Sequence, residues 1–199
     1  MNHIMNKSTI SNMPYSPKPW KVEHPKAIVL GCDPTAFHTD SIGVRTLIHF
    51  NTVFNLGGSD LRYFAAINNC LKKLDLNFEV DLYVQNLVSD YQQEETSKNK
   101  KWDELAKSLI PERRAEFDKI DPDGNLPVFL TSERLYKVLM NDGEPLLPAA
   151  ELYKMQDVMI PATKNKLSRP LIALYRHPKY NCSRQKDYYE RVKNALNTI

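Results

Sequence analysis

Only six glycines and three cysteines occur among the 199 residues. With so little glycine, each one is expected to answer a specific backbone demand. Cys32, Cys70 and Cys182 are odd in number, widely spaced and form no Cys-x-x-Cys pair. This spacing excludes a disulfide framework and a metal or iron–sulfur site built from cysteine alone, and reads as reduced thiols in an intracellular protein. No apolar run approaches the roughly 18 to 20 residues of a membrane span; Leu171 to Tyr175 is typical of the longest. The first residues, Met-Asn-His-Ile-Met-Asn-Lys-Ser, lack the apolar stretch of a secretory signal. A dominant charge is missing too. With 27 Lys plus Arg against 24 Asp plus Glu, the net charge of +3 does not by itself announce a nucleic-acid partner.

What is present fits a globular protein. Hydrophobic residues make up 42% and charged residues 26% of the chain, near the average for folded domains, and the length suits one domain. Residues 1 to 22 are polar and carry Pro14, Pro17 and Pro19, which marks a tail or extended arm ahead of a single domain over 23–199. Lys26 to Leu30, Val80 to Val88, Val128 to Leu130 and Leu171 to Leu174 read as four strands, three of them continuous apolar runs of the kind buried on both faces. Helices are expected between them. One follows Ser59 or Asp60 as N-cap, with apolar residues from Leu61 to Leu74. Another starts at Trp102 and ends before Pro111. Further helices are expected near Leu135 to Leu139, near Leu152 to Met159 and from Tyr188 to Leu196, and Pro122-Asp-Gly124-Asn reads as a turn. Strands alternating with helices predict an α/β fold: a three-layer sandwich with a central four-stranded parallel sheet flanked by helices.

In open α/β sheets ligands bind beyond the carboxyl ends of the strands. Those ends deliver Gly31-Cys32-Asp33-Pro34, Gln85-Asn86, Thr131-Ser132 and Arg176-His177-Pro178. A carboxylate, an amide, hydroxyls and an imidazole therefore meet on one rim, a set suited to acid–base chemistry and to reading a base edge. Other chemistries find no support. His38 and Asp40 have no further ligands at a metal-binding spacing, Gly57-Gly58 lacks the Lys-Ser/Thr of a phosphate loop, and there is no Gly-x-Ser-x-Gly elbow.

Four segments, in order, resemble the uracil-DNA glycosylase superfamily. Gly31-Cys32-Asp33-Pro34 is similar to that family's Gly-Gln-Asp-Pro motif after the first strand. Tyr83-Val84-Gln85-Asn86-Leu87-Val88 resembles its second strand, which ends in a base-reading Asn, and Ser97 to Leu105 resembles the stretch entering a Trp-headed helix. Leu174-Tyr175-Arg176-His177-Pro178 resembles the segment of its second catalytic motif, His-Pro-Ser-Pro-Leu-Ser. The resemblance spans about residues 26 to 197 and implies a uracil-DNA glycosylase-like fold that holds a flipped nucleotide. It implies hydrolysis of the N-glycosidic bond of uracil or another deaminated or damaged base, with Asp33 and His177 catalytic. Phe54, Asn86 and the backbone at Cys32 would bind the base, and neither metal nor cofactor would take part. The partner would be single-stranded or duplex DNA, met by a monomer away from any membrane. The alternative is a relative that keeps the fold and binds nucleic acid or nucleotides without excision.

Two departures bear on specificity. Thr35 stands where the family carries a Tyr that excludes thymine, and Lys179-Tyr180-Asn181-Cys182-Ser183 replaces the segment whose Leu wedges into the duplex. Tyr180 is the candidate to stack in place of that wedge. Residues 164–193 hold nine basic side chains (Lys164, Lys166, Arg169, Arg176, Lys179, Arg184, Lys186, Arg191, Lys193) against Asp187 and Glu190. The near-neutral total thus hides a polarised chain, and Arg176, Lys179 and Arg184 are the expected phosphate contacts.

Overall fold

The structure, a computed structural model, describes residues 13–198. Its centre is β1 (Ala27–Gly31), in which all five residues are buried. The continuous apolar run is explained by neighbours on both edges and cover on both faces. A hairpin follows, β2 (Phe37–Thr39) paired antiparallel with β3 (Arg45–Leu47). The sequence carries no alternating pattern for it, because only Phe37 and Leu47 pack inward, in a small cluster with Phe50 and Tyr91.

α1 spans Ala65–Lys73 and starts later than the expected cap at Ser59 or Asp60. Asp60 closes a local turn instead: its carboxylate accepts from Arg62 N at 3.0 Å, and its carbonyl accepts from Asn55 Nδ2 at 2.9 Å. The second strand is also shorter than expected. α2 (Phe78–Asp81) precedes β4 (Leu82–Asn86), because Asn77 Oδ1 accepts from Glu79 N and Asp81 Oδ2 accepts from Asn77 N.

α3 (Trp102–Ile120) runs through Pro111, where the sequence predicts its end. A proline inside a helix costs about 3 kcal/mol. That cost is outweighed by one buried stripe, Trp102, Ala106, Ile110, Arg113 and Phe117, which continues on both sides of the proline. β5 (Val128–Leu130) follows the Pro122–Asn125 turn, where Gly124 takes a φ of +71°. α4 (Glu133–Leu139) is capped by the Ser132 side chain, and α5 occupies Ala149–Leu152. That is earlier than the expected Leu152 to Met159, because Pro148 at φ −59° sets the first turn. β6 (Leu171–Ala173) and α6 (Lys186–Leu196) complete the chain.

The four central strands run parallel in the order β4-β1-β5-β6. The fold is therefore α/β with an all-parallel four-stranded sheet and helices. Residues 1–12 of the polar N-terminal segment lie outside the described residues. Further along that segment, Trp20 pairs with Val84 through reciprocal 2.9 Å backbone hydrogen bonds, and its indole N–H donates to the Phe78 carbonyl. Among the described residues no helix is long and apolar enough to cross a membrane.

Behind β6, the rings of Tyr153, Tyr175 and Tyr188 stack together, and Tyr188 OH donates to the Ala173 carbonyl. Burial raises the phenol pKa of all three, as it raises that of Tyr83 to about 12. Unfolded tyrosines ionise near pH 10. The neutral phenols therefore stabilise the fold fully below about pH 10, and that contribution is lost as pH climbs toward the folded values. Thermal midpoints followed by circular dichroism should fall steeply from about pH 10 upward, faster than in a Tyr175→Phe variant.

Candidate active site

Strand order changes direction between β1 and β5, because the chain leaves β1 for β4 on one side and returns to β5 on the other. A crevice at the carboxyl ends is expected at such a switch point. A cavity of about 670 Å³ lies there, lined by side chains from both strand ends and from the segment after β6.

Asp33 sits two residues beyond β1. Its Oδ1 accepts from Thr35 N at 2.9 Å and its Oδ2 accepts from the Thr96 hydroxyl. Thr96 is itself held from α4. The Arg134 guanidinium donates to the carbonyls of Thr96 and Asn99, pairs with Asp103 at 2.6 Å and lies 5.0 Å above the Trp102 ring. The carboxylate therefore has a fixed orientation, set by two helix starts distant from it in sequence.

His177 begins the short 3₁₀ turn Pro178–Tyr180, and its Nδ1 accepts from Lys179 N at 3.1 Å. With Nδ1 used as an acceptor, the proton of the neutral ring resides on Nε2. His177 is exposed, on the cavity wall, and presents a hydrogen-bond donor.

Phe54 shows how the wall is built. Phe54 and Asn55 both take left-handed backbone angles, with φ of 55° and 60°. Such conformations cost of order 1–3 kcal/mol each and persist only where the surroundings impose them. Here Val53 N donates to Lys18 O at 2.9 Å, the Thr52 hydroxyl donates to Leu56 O, and Asn55 Nδ2 reaches Asp60. The Phe54 ring is thereby pressed onto Gly31, where an added Cβ would lie 2.7 Å from Phe54 Cζ and would overlap Asn86 Oδ1. Gly31 is thus one of the few glycines whose missing side chain is required by space. The Arg176 guanidinium lies 5.6 Å above the Phe54 ring.

Asn86, the last residue of β4, is 2% exposed and sits beneath this contact rather than on the cavity wall. Gln85 orients its backbone, with Gln85 Oε1 accepting from Asn86 N at 2.8 Å. Two buried polar atoms in this region have no hydrogen-bond partner: Asn86 Oδ1 and Tyr175 OH, the latter on the cavity wall. A buried polar atom left without a partner costs about 1–3 kcal/mol.

The Cys32 thiol lies 3.0 Å from Ser132 Oγ, and burial pushes its pKa up to about 12. It is therefore a neutral wall group, not a thiolate nucleophile. Thr35 is buried, and its hydroxyl accepts from Gln92 N at 2.7 Å. Tyr180 is half-buried, with its ring 4.7 Å from Tyr153. Among the described residues, no group of three or more His, Cys, Asp or Glu is placed to hold a metal ion.

Of the residues singled out in the sequence, Cys32, Asp33, Phe54, Arg176, His177, Lys179 and Tyr180 line the same cavity. Arg184 lies in a neighbouring cleft of about 350 Å³, with Lys154, Lys186 and Arg191. The basic surplus of residues 164–193 is partly spent inside the fold. Arg169 is fully buried between Asp118 and Asp121, Lys166 pairs with Asp142, Lys193 pairs with Asp75, and Arg191 donates to the carbonyls of Tyr153 and Met155. Thr96, Arg134 and Tyr175 belong to the site without having been expected there. Only Tyr175 carried a signal, as a neighbour of Arg176-His177. Neither a protein-family model nor a curated protein matches the chain.

Proposed function

We propose that the chain is a DNA glycosylase, hydrolysing the bond between deoxyribose and uracil or another deaminated or damaged base. The observation that carries this reading is one cavity that brings together a carboxylate held by two hydrogen bonds, an exposed imidazole and an aromatic ring. A planar base with polar edges is the ligand that fits this set, stacking on Phe54 and accepting from the imidazole, with its sugar beside the carboxylate. In this mechanism the C1′–N bond breaks and its electron pair leaves with the base. Nε2–H of His177 donates to the base oxygen on which negative charge collects. Asp33 faces the sugar, where its negative charge stabilises the cationic centre and its oxygens orient the water that adds to C1′. The water's proton passes to the carboxylate and then to solvent.

One observation favours a second reading, a binding protein without excision: both Asp33 oxygens already accept hydrogen bonds. The discriminating experiment incubates the protein with uracil-containing single-stranded and duplex DNA and cleaves abasic sites with alkali. Strand breaks support the enzyme. Binding without abasic product, on uracil and on a panel of damaged bases, supports the second reading.

The electrostatic side of the proposal is separately testable. Among the described residues, Lys179 and Arg184 make no salt bridge within 4.0 Å, so both are available to phosphates. Lys179→Ala with Arg184→Ala should weaken DNA binding about equally across sequences. It should also reduce the slope of log K against log salt by about 1 to 2, near 0.9 per phosphate contact. An unchanged slope would remove these two residues from the interface.

A further inference from the structure

The sequence groups Arg176 with the phosphate contacts, but the fold sets it on the cavity wall beside the aromatic ring. Its backbone N–H donates to the Thr131 carbonyl at 2.9 Å, which ties the segment after β6 to the end of β5. Its guanidinium lies 5.6 Å above the Phe54 ring and shares the wall with Asp33, His177 and Lys179. Among the described residues this guanidinium has no carboxylate within 4.0 Å and makes no hydrogen bond. Glu133, the other carboxylate on the wall besides Asp33, is engaged with Lys137 at 2.8 Å.

A cation without a counter-ion is costly where protein displaces water. That cost is felt here: burial lowers the Arg176 pKa, although a guanidinium stays charged at neutral pH. The side chain remains accessible from the cavity. At the contact separation of about 3.5 to 4 Å, a base on Phe54 fills the space beneath the guanidinium. The flexible arginine need only turn aside to meet the edge of that base, where the oxygens lie. A positive charge so close, with little water between, attracts the base most strongly when the base is an anion.

We propose that Arg176 is a catalytic residue whose positive charge stabilises the anion that forms on the base as the C1′–N bond breaks. The inference rests on the glycosylase reading and adds to it a charged group acting on the leaving base. His177, as a neutral donor, supplies that base with a hydrogen bond but no net charge. Arg176 supplies the charge and keeps its proton throughout. The electron pair of the broken bond stays on the base, which takes a proton from solvent once released. Because the attraction grows as charge develops, it lowers the barrier without tightening the ground-state complex.

The test measures single-turnover excision by the full chain from single-stranded DNA carrying either uracil or 5-fluorouracil. Fluorine withdraws electrons, so the 5-fluorouracil anion needs less help from the protein. Arg176→Met should slow uracil excision about 10²-fold, as for one lost oxyanion-hole donor, and slow 5-fluorouracil excision about tenfold less than that. Arg176→Lys, which keeps the charge, should recover part of the uracil rate. DNA affinity and the slope of log K against log salt should stay at their wild-type values, whereas loss of a phosphate contact would lower the slope by about 0.9. Equal losses on the two bases, or a lowered salt slope with unchanged excision, overturn the role of Arg176 and leave the glycosylase reading standing. Wild-type protein that excises neither base overturns both, so the two failures are distinguishable.

Discussion

Asp33→Asn is expected to lower the rate of abasic-site formation by about 10²- to 10⁴-fold, the range contributed by a positioned general base. Asparagine has the same shape, and its carbonyl oxygen can still accept one of the two hydrogen bonds now made by Thr35 N and the Thr96 hydroxyl. The second donor loses its acceptor. The larger loss is chemical: a neutral amide neither orients water by accepting its proton nor stabilises positive charge on the sugar. Thermal midpoint and DNA affinity should stay close to wild type, which separates a catalytic carboxylate from a structural one. A loss of less than about tenfold, or a loss matched by unfolding, would take Asp33 out of the reaction. His177→Ala serves as the companion, because its Nε2–H acts on the departing base rather than on water.

Arg169→Ala carries the largest expected effect on stability, about 3–5 kcal/mol, as for one partner removed from a buried ion pair. The arginine is 0% exposed and ties the start of β6 to the end of α3 through Asp118, Asp121 and the Asp121 carbonyl. Its removal leaves Asp121 mostly enclosed and without its cation. The thermal midpoint should fall by on the order of 10 °C. Adding Asp118→Asn and Asp121→Asn to the Arg169→Ala chain should recover part of the loss, because the uncompensated charges are then gone. If the triple variant is no more stable than the single one, packing rather than charge holds that corner.

Arg169 also shows where sequence reading stops. Its basic neighbours Arg176, Lys179 and Arg184 are exposed, as arginines and lysines mostly are. What holds it inside is a pair of aspartates about fifty residues earlier, at the end of α3. Pro111 suggested a stop because its cost is local and visible, whereas the buried stripe that overrides it is a property of the folded neighbourhood. The same asymmetry hid the hairpin, which has only two inward-facing apolar residues, and hid Thr96 and Arg134, whose roles exist only because the chain brings them to Asp33.

The sequence by itself determined the four central strands, since burial on both faces demands runs such as Ala27 to Leu30 and Val128 to Leu130, and it determined that their carboxyl ends carry Asp33, Asn86 and His177. Tertiary structure alone decided how those groups are oriented. It pressed Phe54 against Gly31, buried Asn86 beneath that contact and set His177 Nδ1 to accept from Lys179 N. Burial pattern is a one-dimensional signal that periodicity records. Orientation depends on contacts between residues far apart in the chain, and no local pattern encodes them.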